Sequence, residues 1–241
     1  MRYLVNIKYD GSNFYGFQIQ NDKRTVEGEL TIVLSKILNS EVKIVGCSRT
    51  DKGVHAFDFY FHFDSIKVID LDKLKYSLNS MLPEDIYVKD IKKVNDDFHA
   101  RYSVKNKEYK YVINTSEYDP TKRNYELEYF KMLDIDLLIK SAKLLEGEHD
   151  FKAFSSDNEK ENTIRHVNYI RIEKVNELVN IYVNANGFLK YMVRNIIGLL
   201  LEINEGKKSI DDIERILDSK DRTNLGICAK PSGLYLNKVN Y

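Results

Sequence analysis

No stretch of the chain approaches the roughly 20 consecutive apolar residues that a membrane-spanning helix needs. The longest apolar run, Ile196-Ile197-Gly198-Leu199-Leu200-Leu201, is far shorter, so no membrane partner is expected. The opening residues, Met1 to Asn6, turn polar too soon for a secretory signal. Cysteine is scarce, with only Cys47 and Cys228. That count suits a reducing, cytoplasmic setting better than a disulfide scaffold. There is no C-x-x-C and no H-E-x-x-H, so a metal site is not expected. No phosphate-cradling G-x-x-x-x-G-K-[ST] loop occurs, so use of a nucleoside triphosphate has no support. An excess of either charge is also missing: Lys and Arg total 37, and so do Asp and Glu. Nucleic-acid binders usually show a basic balance, so such a ligand would require positive charge concentrated locally.

What is present is an ordinary globular composition, 43% hydrophobic and 31% charged over 241 residues. This is enough for one large domain or two small ones. Arg2 to Tyr9 alternates and reads as a strand, and Asp10-Gly11-Ser12-Asn13 as a turn. Thr25 caps a helix that carries Glu27 and Glu29 in its first turn, with Val26, Leu30, Val33, Leu34, Ile37 and Leu38 on one face. Glu41 to Cys47 reads as a second strand. Phe57, Phe59, Phe61 and Phe63 alternate with polar residues, as one core-facing side of a third. Leu71, Leu74, Leu78 and Met81 mark a helix stopped near Pro83, and Ile86 to Val94 a fourth strand.

The resulting order, βαββαβ, is the ferredoxin-like split motif. The second half repeats it: a strand at Glu108 to Thr115, a helix at Asp134 to Glu146, a hairpin from Ile164 to Val175 and Leu178 to Asn184, helices at Phe188 to Ile203 and Ile210 to Leu217, and a closing strand at Leu234 to Val239. The expected fold is therefore α+β, with two ferredoxin-like halves, 1–104 and 105–241, whose antiparallel sheets flank a cleft. RRM-like RNA-binding domains use the open sheet face of such a half, although the fold by itself hosts many functions.

Two segments invite chemistry. Arg49-Thr50-Asp51-Lys52-Gly53-Val54-His55-Ala56 joins two strands and sets a carboxylate beside a guanidinium, which on spacing alone fits a structural ion pair across a turn as well as a site. The stretch from Arg101 to Lys110 concentrates Arg101, Lys105, Lys107 and Lys110 with two tyrosines. It reads either as an RNA contact or as a solvated strand and turn.

The first of these segments resembles the G-R-T-D-A-G-V-H-A signature of the tRNA pseudouridine synthase A (TruA) family. Six further segments follow in register. Tyr9-Asp10-Gly11-Ser12 with Tyr15-Gly16-Phe17-Gln18-Ile19-Gln20 is similar to the family's opening motif, and Asp97-Phe98-His99-Ala100-Arg101-Tyr102-Ser103 to its D-F-H-A-R-[FY]-S. Lys107-Glu108-Tyr109-Lys110-Tyr111, Gly147-Glu148-His149-Asp150-Phe151, Phe188 to Asn195 and Gly233-Leu234-Tyr235-Leu236 match the rest. Three departures stand out: Ser48 in place of glycine, Lys52 in place of alanine, and Phe17 where tryptophan is common.

The resemblance implies isomerisation of uridine to pseudouridine in the anticodon stem-loop of tRNA, at tRNA positions 38, 39 and 40, by a homodimer that needs no cofactor. Asp51 matches the nucleophile, a role that suits a group ionised at neutral pH (an ordinary Asp titrates at about 3.9). Its attack on the sugar carbon and its addition to the uracil ring both remain open. Arg49 matches a residue that extracts the target nucleotide, Tyr109 one that stacks on uracil, Arg194 the arginine paired with the nucleophile, and Leu234 an apolar wall of the uracil pocket. His55 reads as a hydrogen-bonding loop residue. The rival reading is a non-catalytic RNA-binding protein on the same duplicated fold, which would not need Asp51. A glycosidase would need a second acid flanking the bond, and none matches.

Overall fold

The computed structural model describes residues 1–157, 159 and 161–241. It shows a mixed α/β chain of two compact units, Met1–Lys105 with Tyr235–Tyr241 and Asn106–Leu234.

In the first unit β1 (Arg2–Tyr9) runs between β3 (His55–Asp64) and β4 (Ile86–Val94), antiparallel to both. A short β2 (Ile44–Gly46) pairs with the far end of β3, opposite Phe61 to Phe63. Helix α1 (Val26–Leu38) starts where expected: the Thr25 hydroxyl accepts from Gly28 N–H, Glu27 and Glu29 face the positive helix end, and Val26, Leu30, Val33 and Leu34 are buried. Helix α2 (Leu71–Met81) is capped by Asp70 and ends before Pro83, burying Leu74 and Leu78 against β4.

Two expectations are corrected here. The strand β10 (Leu234–Asn240), read as closing the second half, lies from Tyr235 onward in the first unit. It runs parallel to β3, with Tyr235 opposite His55 and Leu236 opposite Ala56. Because β2 is only three residues long, it leaves the first part of β3 an open edge, and an unpaired edge of backbone donors and acceptors takes a strand from wherever the chain can supply one. The sheet is thus antiparallel except at this edge. Phe57, expected in the core, is 45% exposed, while Phe59, Phe61 and Phe63 are fully buried. The register between β1 and β3 shifts between Ile7 and Tyr9, where β3 carries an extra residue. Such a bulge inverts the alternation beyond it. Ala56 takes the core side, and the rings of His55 and Phe57 flank Tyr235 at 4.7 and 4.6 Å.

The second unit orders its strands β5 (Asn106–Asn114), β9 (Leu178–Ala185), β8 (Ile164–Val175) and β7 (Gly147–Asp150), all neighbours antiparallel. A two-residue β6 (Leu127–Glu128) lies parallel to β5. Segment 147–150, quoted above only as a family motif, is therefore the edge strand. Helix α3 (Ile135–Lys143) packs on β8 and on α4 (Met192–Asn204), which is buried along nearly its whole length. Helix α4 begins four residues later than its apolar pattern suggests, because Tyr191 adopts a left-handed backbone, φ +65°, and caps it. Helix α5 (Asp212–Ser219) follows. Among the described residues no helix is long and apolar enough to cross a membrane.

Candidate active site

The loop from Cys47 to Val54 carries Asp51 between β2 and β3. Its conformation is imposed from outside as much as from within. Val54 N–H donates to Asp51 O at 3.1 Å, closing a turn through Gly53, whose φ of +78° favours glycine. The segment after β1 then grips the loop on both sides of Asp51. Phe17 N–H donates to Thr50 O, and Gly53 N–H to Phe14 O, each at 3.2 Å. The buried hydroxyls of Tyr9 and Thr50 hydrogen-bond at 2.8 Å. A Cβ on Gly16 would stand 2.5 Å from Thr50 O, and one on Gly11 2.0 Å from Val54 O, so both glycines permit a backbone approach that no other residue allows. His55 Nδ1 accepts from Gly11 N–H at 3.0 Å with Asp10 Oδ1 3.1 Å away, and Asp10 in turn accepts from Ser12 N–H and hydroxyl. His55 is thus a loop-fastening residue, as read from the sequence. Asp51 is half-buried and Arg49 is exposed.

Tyr109, Arg194 and Leu234 belong to the second unit. Tyr109 sits on β5 opposite Val183, only 6% exposed, with its ring edge-on to Phe188 at 5.0 Å. Arg194, in the first turn of α4, is half-buried. Its Nε donates to Ala229 O at 2.7 Å, Ala229 N–H donates back to Arg194 O at 3.1 Å, and its guanidinium lies 4.8 Å from the Tyr191 ring. The same tail crosses β5: Tyr111 hydroxyl donates to Lys230 O at 2.7 Å, and a Cβ on Gly233 would touch the Tyr111 ring at 3.0 Å. Leu234 follows, buried. Burial pushes the Tyr111 hydroxyl well above its ordinary range, while the positive charge of Arg194 opposes that shift. Arg194, Tyr111 and the 229–234 tail are therefore one cluster, with Tyr109 two residues along the same strand face.

The basic stretch is not a single stripe. Arg101 is exposed before β5, and exposed Lys105 donates through Nζ to Tyr241 O at 3.0 Å. The boundary between the units falls after Lys105. On β5, Lys107 and Lys110 differ by an odd number of residues and so project to opposite faces. Lys110, 5.8 Å from the Tyr182 ring, has its pKa lowered by burial, against the pull of Glu173.

The work of the opening segment is not visible in its motif. The opening motif holds Tyr9, Gly11, Gly16 and Phe17 as a pattern, and only the fold makes them, with Phe14, the cradle of Asp51. The only sequence signal was their joint presence with the Arg49–Ala56 loop. Tyr15, in the same motif, has a contact that no motif signals: Lys52 Nζ lies over its ring at 4.0 Å. Among the described residues no group of His, Cys, Asp and Glu is placed to hold a metal ion.

The chain is similar to known proteins over nearly all of its length. The family model described as tRNA pseudouridine synthase matches residues 6–103 and 141–241. A protein named tRNA pseudouridine synthase A from a Thermoanaerobacter species is 45% identical over 240 residues, covering 99% of this chain and 98% of its own. Proteins of the same name from Caldicellulosiruptor bescii and Staphylococcus aureus are 41% and 39% identical, each over 99% of this chain and over 98% and 91% of their own lengths.

Proposed function

The chain belongs to the tRNA pseudouridine synthase family, and from that premise we propose that it isomerises uridine to pseudouridine in the anticodon stem-loop of tRNA, at tRNA positions 38, 39 and 40, with Asp51 as nucleophile. The observation that carries the assignment to Asp51 is its loop, gripped on both sides by backbone bonds from Phe14 and Phe17. Such pre-positioning is what a carboxylate needs to attack without an activating base. In the net reaction the C1′–N1 bond of the nucleotide breaks, the uracil turns, and a C1′–C5 bond forms. The C5 proton leaves and N1 takes one up, so atoms and electrons balance with no redox partner.

The remaining roles follow from the likeness and from what each side chain offers. Arg49 is exposed and long enough to enter the space left by the extracted nucleotide, a step that opposes an unstacking cost of a few kcal/mol. Tyr109 presents an aromatic ring packed edge-on to Phe188, and it serves as the stacking surface for uracil. Leu234 supplies an apolar wall. The likeness gives Arg194 the part of the arginine that supports the nucleophile, and its guanidinium is oriented by Ala229 O. We extend the reading to RNA contacts by Arg101, Lys105, Lys107 and Lys110, to a ferredoxin-like kinship of the two units, and to a cytoplasmic homodimer without a cofactor.

The test is release of tritium from tRNA labelled at C5 of uracil, with purified protein and nothing added. Wild-type protein should release it and Asp51→Asn should not, while the two unfold at temperatures within a few degrees of one another. Turnover by pure Asp51→Asn would remove the nucleophile assignment. Binding of tRNA without release by the wild type would favour a non-catalytic RNA-binding protein.

A further inference from the structure

Lys52 is the residue at which the catalytic loop departs most in charge from the family signature, and the structure shows where that charge goes. Its ammonium lies over the Tyr15 ring at 4.0 Å from the centroid, and a second ammonium, that of Lys23, lies over the same ring at 4.9 Å. Their separation cannot exceed the sum of these distances, so they interact within about one Debye length, ~8–10 Å at moderate salt. Both lysines are exposed, and Tyr15 is 38% exposed. Among the described residues no carboxylate stands within ion-pair distance of either lysine. Arg24 close by is different: it lies over Phe14 but is neutralised by Asp85 and Glu29, at 2.7 and 2.8 Å.

The ring that gathers the two cations is itself held firmly. Tyr15 N–H donates to Arg24 O at 2.9 Å, Gln20 Nε2 donates to Tyr15 O at 2.7 Å, and Lys23 N–H donates to Gln20 O at 3.3 Å. Residues 15–24 thus form a closed turn that presents Tyr15 and Lys23 together. Gly16, with φ +96°, passes directly under Thr50 O, which brings this turn against the loop bearing Lys52. Attraction to the ring face holds each ammonium, while their mutual repulsion is left for an outside anion to relieve.

We infer that Lys52, Tyr15 and Lys23 form a phosphate clamp that grips the phosphodiester backbone of the substrate strand beside the target uridine. The inference rests on the reading of Asp51 as the nucleophile, since Lys52 is its immediate neighbour and an anion held there lies at the reacting nucleotide rather than on a distant stem. Lys52 and Lys23 bind phosphate; Tyr15 is a positioning residue that acts through them.

The test is the salt dependence of binding to an unmodified tRNA transcript with uridine at positions 38 to 40. Each lost phosphate contact should lower the slope of log affinity against log salt by about 0.7–0.9. Lys52→Ala and Lys23→Ala should each show one such step, the double variant both, and Lys52→Arg with Lys23→Arg should restore the slope. Tyr15→Leu should weaken binding about 2- to 5-fold with both lysines present, the size expected of an exposed cation–π anchor. Lys73→Ala, at an exposed lysine on α2 beside Asp70, is the control and should leave the slope unchanged. A double variant with the wild-type slope would overturn the clamp, as would a change no larger than that of Lys73→Ala. The slope is read from binding whether or not the protein turns over. Loss of the clamp therefore shows in the slope, and failure of the Asp51 reading shows separately as absent tritium release by the wild type.

Discussion

His62 is buried under the Asp97–Ser103 segment, 3% exposed, and its Nδ1 accepts from Ala100 N–H at 3.1 Å. Burial, then the nearby charges of Arg2 and His99, hold its pKa at about 4, against the opposing pull of Asp64. A histidine with a depressed folded pKa is neutral in both states above about 6.5. Below that value the unfolded chain takes up a proton that the folded chain refuses. Stability should therefore fall as the pH drops from about 6.5 to about 4, by at most about 3 kcal/mol from this residue. His62→Phe should flatten that stretch of the curve while costing about 1–3 kcal/mol at pH 7 for the orphaned Ala100 N–H. Denaturant titrations of both proteins across the range check this; an unchanged pH dependence in His62→Phe would move the effect elsewhere. At the same scale, Tyr109 separates stacking from its hydroxyl. Its burial means that alanine would also open a cavity, so leucine is the better comparator. If the ring face is what binds uracil, Tyr109→Phe keeps substrate affinity and Tyr109→Leu loses about 1–3 kcal/mol of it. Equal losses in binding assays would assign the effect to the hydroxyl.

Among the elements, the turn after β1 matters more than its length suggests, because it is the outer wall of the Asp51 loop. Gly16 shows this. Alanine there meets two obstacles, a left-handed backbone that costs about 1–2 kcal/mol and a Cβ 2.5 Å from Thr50 O. Gly206 has the first obstacle alone, with φ +67° and nothing within 4 Å of an added Cβ. Gly206→Ala should therefore lower stability by about 1–2 kcal/mol and leave tritium release intact. Gly16→Ala should cost more and also depress release, since Thr50 must move and Asp51 with it. Melting curves and release rates for the pair decide the matter, and equal behaviour would mean that the turn does not position the loop.

For the whole molecule, the first unit is completed by residues from the opposite end of the chain. Leu236 is fully buried there, Tyr235 lies between His55 and Phe57, and Val239 N–H donates to Asp58 at 3.1 Å. Tyr241 hydroxyl donates to Ala100 O at 2.8 Å, and its ring meets Phe98 and Tyr60. Deleting residues 235–241 should thus loosen the N-terminal hundred residues. Limited proteolysis should find new cuts between residues 50 and 105 before any within β8 or β9. Cuts confined to the second unit would contradict the assignment of this strand.

The sequence by itself determined whatever depends on neighbours along the chain. Thr25 names its helix start, Pro83 ends α2, the βαββ spacing locates the Arg49–Ala56 loop between two strands, and the ordered motifs point to Asp51, Tyr109 and Arg194 as the proposed site. Only the tertiary structure decided matters of register and long-range pairing. One extra residue in β3 turned Phe57 from the core to the surface and brought its ring to Tyr235. The short β2 left an edge that β10 filled, moving the last strand to the first unit. The odd spacing of Lys107 and Lys110 on a strand split a basic run that looked continuous. The grip of Phe14 and Phe17 on the Asp51 loop spans more than thirty residues of sequence. Local periodicity reports which face of an element is apolar, but not which strand will satisfy a free edge or which backbone will approach a glycine. Those outcomes follow from hydrogen-bond pairing and close packing between segments far apart in the chain.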